Sequence, residues 1–195
     1  YYGQVSYCYN GAEVSGYQYV GGVTGYNNTA GLITQCFNTG MIHPTSEDGY
    51  AGGIIAQCSN KIRLLGCVNY GTITGVTKGT SVGGIVGEVK WNASFVVGDM
   101  QIKNCVNYGK LVANGIANVA GIAAKWTAGT KGAISPYPRE GEIVATIANC
   151  ANYGESVLGN TSPKAVELFI MAYHQTIVDV EGTFTMRANG TMTSG

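Results

Sequence analysis

The sequence predicts an all-β chain wound into a β-solenoid. This would be a parallel β-helix-like stack of about four to five coils with an atypical β cap at its C-terminal end. Three observations carry that expectation. Two short motifs alternate along the chain at a period of roughly 30 residues. Their segments are rich in Val, Ile, Thr and Tyr and are punctuated by Gly and Asn. Charged residues make up only 11% of the 195, and glycine accounts for 30. A typical soluble chain has about 25% charge and about 7% glycine.

The first motif is C-x-N-x-G. It reads Cys36-Phe-Asn38-Thr-Gly40, Cys67-Val-Asn69-Tyr-Gly71, Cys105-Val-Asn107-Tyr-Gly109 and Cys150-Ala-Asn152-Tyr-Gly154. Cys8-Tyr-Asn10-Gly11 is a fifth copy with its glycine one place early. An apolar residue lies three before each cysteine: Val5, Ile33, Leu64, Ile102 and Ile147. Six after it stand Val14, Ile42, Ile73, Leu111 and finally Ser156, with Val157 beside it. The Cys, Asn, Gly and +6 positions share one parity, so on a strand they share one face. The −3 position breaks that parity, which predicts a bend or bulge between it and the cysteine.

The second motif is a glycine pair followed by an apolar residue. It occurs at Gly21-Gly22-Val23, Gly52-Gly53-Ile54, Gly83-Gly84-Ile85 and, degraded, at Ala120-Gly121-Ile122. Gly22, Gly53, Gly84 and Gly121 are the repeat positions. Glycine there permits either a positive φ or a close approach of backbones. Length varies mainly between a glycine pair and the next cysteine, around residues 90–100 and 125–145. Insertions in solenoids map to loops on one side, so individuality is expected around Trp91 and Tyr137.

In stacked coils equivalent residues sit about 4.8 Å apart. Cys8, Cys36, Cys67, Cys105 and Cys150 would then form an interior column. Asn10, Asn38, Asn69, Asn107 and Asn152 would form another, acceptable if each side-chain amide bonds to a neighbour's carbonyl or to backbone. No C-x-x-C or C-x-x-H spacing occurs, so a metal site is not expected. Disulfides between coils remain an alternative, but an in-register column does not supply their geometry automatically. The preferred reading is a small buried core residue. Cys58 falls outside the series, beside Ser59-Asn60-Lys61, and is expected to differ in exposure.

Tyr70, Tyr108 and Tyr153 have the opposite parity and would form an outward aromatic column. Such a stripe could anchor a glycan or a protein partner. The alternative, preferred here, is a ladder that only stabilises the stack. His43 and His174 lie in no catalytic motif. The close acidic pairs Glu47-Asp48 and Glu140/Glu142 read as solvated loops rather than a glycosidase pair. Four sequons begin at Asn27, Asn92, Asn160 and Asn189. Formal net charge is zero with no basic patch, so no nucleic acid partner is expected. No apolar run is long enough to span a bilayer, and no cofactor is implied. The chain starts Tyr1-Tyr2-Gly3 without a methionine and is read as a piece of a longer polypeptide.

The array occupies residues 1–160 and the cap 161–195. Where another glycine pair is due, the chain reads Lys164-Ala-Val-Glu-Leu-Phe-Ile-Met. Val178, Val180, Phe184 and Met186 then alternate with polar residues around Gly182, as in a strand. Ser162-Pro163 could instead open a short helix.

The stretch GGVTGYNNTAGLITQCFNTGMI from Gly21 resembles the GLUG-motif repeat of bacterial surface and secreted proteins. The copies from Gly52 and Gly83 keep the G-G-[LIV] core and drift afterwards, and the copy from Ala120 is degraded. The resemblance implies a non-catalytic, adhesin-like β-solenoid module at the cell surface or outside the cell. The repeated Cys and Asn are not part of the usual motif. A carbohydrate-active β-helix enzyme, or an accessory repeat region of a large secreted peptidase, is the alternative.

Overall fold

The computed structural model describes residues 3–59, 61–75, 80–90, 100–113, 118–127, 143–158, 169–172, 175–176, 184–187 and 192–194. The first turn of chain contributes β1 (Gly3–Ser6), β2 (Tyr9–Asn10), β3 (Val14–Gly16), β4 (Tyr19–Gly21) and β5 (Thr24–Asn27). Then follow β6 (Gly31–Thr34), β7 (Phe37–Asn38), β8 (Ile42–Pro44), β9 (Tyr50–Gly52) and β10 (Ile55–Ser59). The order recurs in β11 (Ile62–Leu65), β12 (Val68–Asn69), β13 (Ile73–Gly75), β14 (Ser81–Gly83) and β15 (Val86–Lys90). It recurs again in β16 (Met100–Lys103), β17 (Val106–Asn107), β18 (Leu111–Ala113), β19 (Asn118–Ala120) and β20 (Ala123–Thr127). β21 (Ile143–Ala148), β22 (Ala151–Asn152) and β23 (Ser156–Leu158) begin the sequence once more.

Every fifth strand pairs with its equivalent in parallel. This builds five sheets, here called A to E in the order the chain visits them. The protein is therefore an all-β solenoid. Among the described residues there is no helix, and so none long and apolar enough to cross a membrane. Register follows the sequence repeat. Val5 pairs with Ile33, Ile33 with Leu64, Leu64 with Ile102 and Ile102 with Ile147 on sheet A. Val14, Ile42, Ile73, Leu111 and Ser156 align likewise on sheet C.

At the C-terminal end, β24 (Phe169–Ala172) adds to sheet E in parallel with β20. The next strands reverse direction. β25 (Gln175–Thr176) pairs antiparallel with β24, β26 (Phe184–Arg187) with β21, and β27 (Met192–Ser194) with β26. Ser162-Pro163, Val178, Val180 and His174 lie outside the described residues.

The interior has two apolar lobes. One lies between sheets A and E and holds Cys36, Cys67 and Cys105 with Ile33, Leu64, Ile102, Ile55 and Val86. The other lies between sheets C and D, with Ile42, Ile73, Leu111, Val20, Ala51 and Val82. At the waist the second glycine of each pair meets the asparagine column. A Cβ on Gly53 would collide with the Gly84 carbonyl and the Asn69 side chain; one on Gly22 or Gly84 would meet Asn38 or Asn107 in the same way. Close approach, not positive φ, is what the paired glycines supply.

Positive φ occurs one place before each cysteine instead. Tyr7 (56°), Gln35 (51°), Gly66 (63°), Asn104 (55°) and Asn149 (53°) all adopt the left-handed conformation. This is the expected bend, and it turns the chain from sheet A into sheet B with the cysteine pointing inward. The two kinds of glycine should respond differently to alanine. At Gly66 an added Cβ has room, meeting only Gln35 Cγ at 3.6 Å, so Gly66→Ala should cost about 1 kcal/mol for its φ alone. Gly53→Ala should cost more than about 3 kcal/mol or prevent folding, because backbone must move. Denaturant unfolding of the two variants checks this ranking.

Candidate functional site: the side-chain ladders

The asparagine column is a continuous hydrogen-bonded ladder. Asn10 Nδ2 donates to Asn38 Oδ1 at 2.7 Å. Asn38 donates to Asn69, Asn69 to Asn107 and Asn107 to Asn152, each at 2.8 Å. The second N–H of each amide goes to the carbonyl two residues on, at 2.9 Å for Asn38 and Asn69. Gly71 and Gly109 return their own N–H to Asn69 and Asn107 Oδ1 at 3.1 Å. Asn38, Asn69 and Asn107 are wholly buried, yet every polar atom is used.

The cysteines form the neighbouring column and all are free thiols. From Cys36 onward each thiol has two carbonyls within reach of its single S–H, its own −2 carbonyl and the −3 carbonyl of the preceding turn, while Cys8 has only Ser6 O. Cys36 reaches Thr34 O at 3.3 Å and Val5 O at 3.8 Å, and Cys150 reaches Ala148 O at 3.4 Å and Ile102 O at 3.5 Å. Burial pushes the Cys36 thiol up. Cys105 is held well above the usual thiol value by its contacts with the Cys150 and Cys67 thiols, then by burial. Its neighbours Cys67 and Cys150 are drawn down by their hydrogen bonds to Cys105, against the effect of burial. Cys36 and Cys105 are packed protonated groups, poor nucleophiles by comparison with activated thiolates.

Cys58 corrects an expectation. Its place beside a loop suggested a difference in exposure, but it is fully buried on β10, which pairs with β5 and β15 on either side. Burial, and then the Glu88 carboxylate, raise its pKa strongly. The thiol that stands exposed is Cys8, on the outermost turn, with Cys150 half-buried.

Tyr70, Tyr108 and Tyr153 form the outward column on sheet B, with exposures of 54%, 47% and 70%. Their rings stack face to face, at 5.0 Å and 6° between Tyr70 and Tyr108 and 5.3 Å and 17° between Tyr108 and Tyr153. Each stacked pair is worth about 0.5–1.5 kcal/mol. Both faces of Tyr108 are therefore occupied, and the column offers solvent its ring edges and hydroxyls. Val68 and Val106 lie half-buried beside it on the same sheet, and Phe37 is exposed.

A polar cluster outside the apolar interior escaped the sequence reading. Sheet D carries Tyr19, Tyr50, Ser81 and Asn118 in register, and sheet E carries Tyr26, Gln57, Glu88 and Lys125. These two rows meet. The Glu88 carboxylate, 2% exposed, accepts from Gln57 Nε2, pairs with Lys125 Nζ at 3.5 Å and is hydrogen-bonded by Tyr50. Burial, and then Glu88, push the Tyr50 phenol up to about 12. Lys125 Nζ sits 5.6 Å from the Tyr50 ring centroid, and Tyr19 stacks on Tyr50 at 5.4 Å. The available signal was a polar residue four places after each repeat glycine, in otherwise apolar strands. Glu88 faces an amide, a phenol and an ammonium, so the cluster works as a polar zipper joining sheets D and E.

His43 Nδ1 lies 2.6 Å from Thr74 Oγ1 on the outer face of sheet C, away from the cysteines. Glu47 and Asp48 are exposed. Trp91, Tyr137, Glu140 and Glu142, and the sequons at Asn92, Asn160 and Asn189, lie outside the described residues. Among the described residues no group of three or more His, Cys, Asp or Glu side chains is placed to share a metal ion. Compared with family models, with curated proteins and with solved structures, the chain matches none of them.

The ladders predict two measurable responses. Asn69→Asp removes the donors to Asn107 and Gly71 and puts a carboxylate among carbonyl oxygens, so it should cost about 3–5 kcal/mol; Asn152→Asp, at the half-buried end, should cost clearly less in the same unfolding assay. Alkaline pH should also destabilise the fold. Cys36 and Cys58 are held protonated by burial in the folded chain, whereas unfolded thiols ionise near their ordinary value of 9.0; within the Cys67–Cys105–Cys150 row the raised and lowered directions oppose one another. The contribution of Cys36 and Cys58 is complete below pH 9 and is lost as pH rises above it. Melting temperature should fall between pH 9 and 11, and Cys58→Ala should flatten part of that fall.

Proposed function

We propose that this chain is a non-catalytic structural and adhesion module of a bacterial cell-surface protein. In this reading it holds a partner, a glycan or a host protein, at a fixed distance on a stiff β-solenoid of GLUG-like repeats. The observation that carries it is the exposed tyrosine column, which sits on an uncharged strip of sheet B and is braced from within by the asparagine ladder. Cys, Asn and Gly in the same strands are spent on packing and hydrogen bonding. Among the motif residues left facing solvent, Tyr70, Tyr108 and Tyr153 form the stacked column. Because their faces stack on one another, the contact would be made through ring edges and phenol hydroxyls. That suits hydrogen bonding to sugar hydroxyls or to a peptide backbone.

The test is binding to a glycan array and to a panel of extracellular host proteins. The triple Tyr→Phe variant at 70, 108 and 153 keeps the rings and removes the hydroxyls. The triple Tyr→Thr variant removes the rings, and Thr39 already occupies this repeat position one turn earlier. Binding should weaken at least tenfold in both, with the melting temperature nearly unchanged in the Phe variant. Unchanged binding in both would remove the column as the contact surface.

A further inference from the structure

Neighbouring thiols of the cysteine column touch, and Cys105 lies in the middle of one such row. It is hydrogen-bonded to the thiol of Cys67 on one side and of Cys150 on the other. Register aligns these residues. Lys103 pairs with Ala148 and Val106 with Ala151, so Cys105 and Cys150 hold matching places on successive turns. The Ala151 N–H donates to Cys105 O at 3.1 Å and fixes the match. Paired strands lie about 4.8 Å apart, and a disulfide accepts Cα separations of about 4.4–6.8 Å. All the thiols are free. The row therefore holds two bonds in prospect, Cys67–Cys105 and Cys105–Cys150, which compete for one sulfur.

Access separates them. Cys67 and Cys105 are wholly buried, whereas Cys150 is half-buried. The Cys150 thiol is also drawn below the ordinary thiol value by its hydrogen bond to Cys105, against the effect of burial. An oxidant-reactive cysteine combines a depressed pKa, partial exposure and a second thiol at hand to resolve it. Cys150 has all three. Cys67 has the first and the third but no exposure. Cys58 is buried on sheet E with its thiol pushed up.

We propose that Cys150 is a peroxide-reactive thiol and that Cys105 resolves it, giving a Cys105–Cys150 disulfide that clasps two successive turns of the solenoid. The Cys150 thiolate attacks one oxygen of a peroxide; the O–O bond breaks, hydroxide leaves and takes up the thiol's proton, and the sulfur becomes a sulfenic acid. The Cys105 sulfur then attacks the Cys150 sulfur. An S–S bond forms, the S–O bond breaks, and the Cys105 proton departs with the hydroxyl as water. Two thiols lose two electrons and one hydrogen peroxide becomes two waters. The bond closes a loop through residues 128–142, the longest of the connections from sheet E to sheet A. A long closed loop restricts the unfolded chain most, so the clasp acts where the chain between two turns is longest. This inference is independent of the tyrosine column.

The experiment uses the full chain carrying Cys8→Ala, since Cys8 is exposed beside Cys36 and would react as well. The folded protein is treated with hydrogen peroxide, remaining thiols are alkylated, and peptides are mapped without reduction. A Cys105–Cys150 linked pair should be the main product, reversed by a dithiol, with Cys36, Cys58 and Cys67 still reduced and the melting temperature raised. Adding Cys105→Ala should abolish the link and increase dimedone trapping of the Cys150 sulfenic acid several-fold. Adding Cys67→Ala should leave the link in place. The map of the Cys8→Ala chain decides the pairing whether or not the further variants fold. A Cys67–Cys105 link as the main product, sulfinic acid at Cys150 without a link, or a Cys150 that peroxide leaves as reduced as Cys58 would each overturn the proposal.

Discussion

The solenoid depends on a contact at its waist, where a backbone with no side chain lies against an amide that must be buried. The asparagine ladder can run through the interior only because glycines stand on both sides of it. Gly53 and Gly84 face the Asn69 and Asn107 side chains from the D–E turn, and Gly71 and Gly109 crowd the amides of Asn38 and Asn69 from the following turn. An alanine at any of these positions would push the amides out of bonding distance. The amides would then be buried and unpaired, at about 1–3 kcal/mol each. The two motifs recur together because neither is tolerable alone. The glycines hold the sheets close enough for the amide to bridge turns, and the amide satisfies the polar groups that such closeness buries.

That coupling explains how much could be read from the residues. Parity along C-x-N-x-G was enough to place Cys, Asn, Gly and the +6 residue inward and the tyrosines outward. The break at −3 was enough to place a bend. The identity of the bend was hidden, because Tyr, Gln, Gly, Asn and Asn share the left-handed conformation without sharing a chemistry. Glycine's role at the pairs was ambiguous because positive φ and close approach leave the same letter in a sequence. Cys58 was misplaced because nearness to a loop in sequence says little once a strand is paired on both sides. The row of Tyr26, Gln57, Glu88 and Lys125 was marked by its place four after each repeat glycine, but its meeting with Tyr50 was not, since that contact joins sheet D of one turn to sheet E of the next. That offset follows from the sharpness of the glycine turn and not from any local period.

Each turn rests mainly on the turns before and after it. Stability in such an array is close to a sum of nearest-neighbour terms, and order can spread from any well-formed pair of turns. The tyrosine stacks, the amide ladder and the two apolar lobes all strengthen the same interface between successive turns. They differ in what they enforce. The lobes reward burial in any register, whereas an amide that must find an amide penalises a slip of even one residue.

The five-strand order has one corner that behaves unlike the others. The chain passes from sheet E to sheet A across residues 28–30, then 60–61, then 91–99, then 128–142, while the registers on both sheets stay in phase. Loop-closure entropy grows only with the logarithm of length, so lengthening a connection fivefold costs about 1.4 kcal/mol. Spread over the interface between two turns, that is a small charge. The scaffold can therefore accept new sequence at this corner, turn by turn, without renegotiating a single ladder contact. The rest of the cross-section, fixed by glycines and amides, is free to remain conservative while one edge of the rod diversifies.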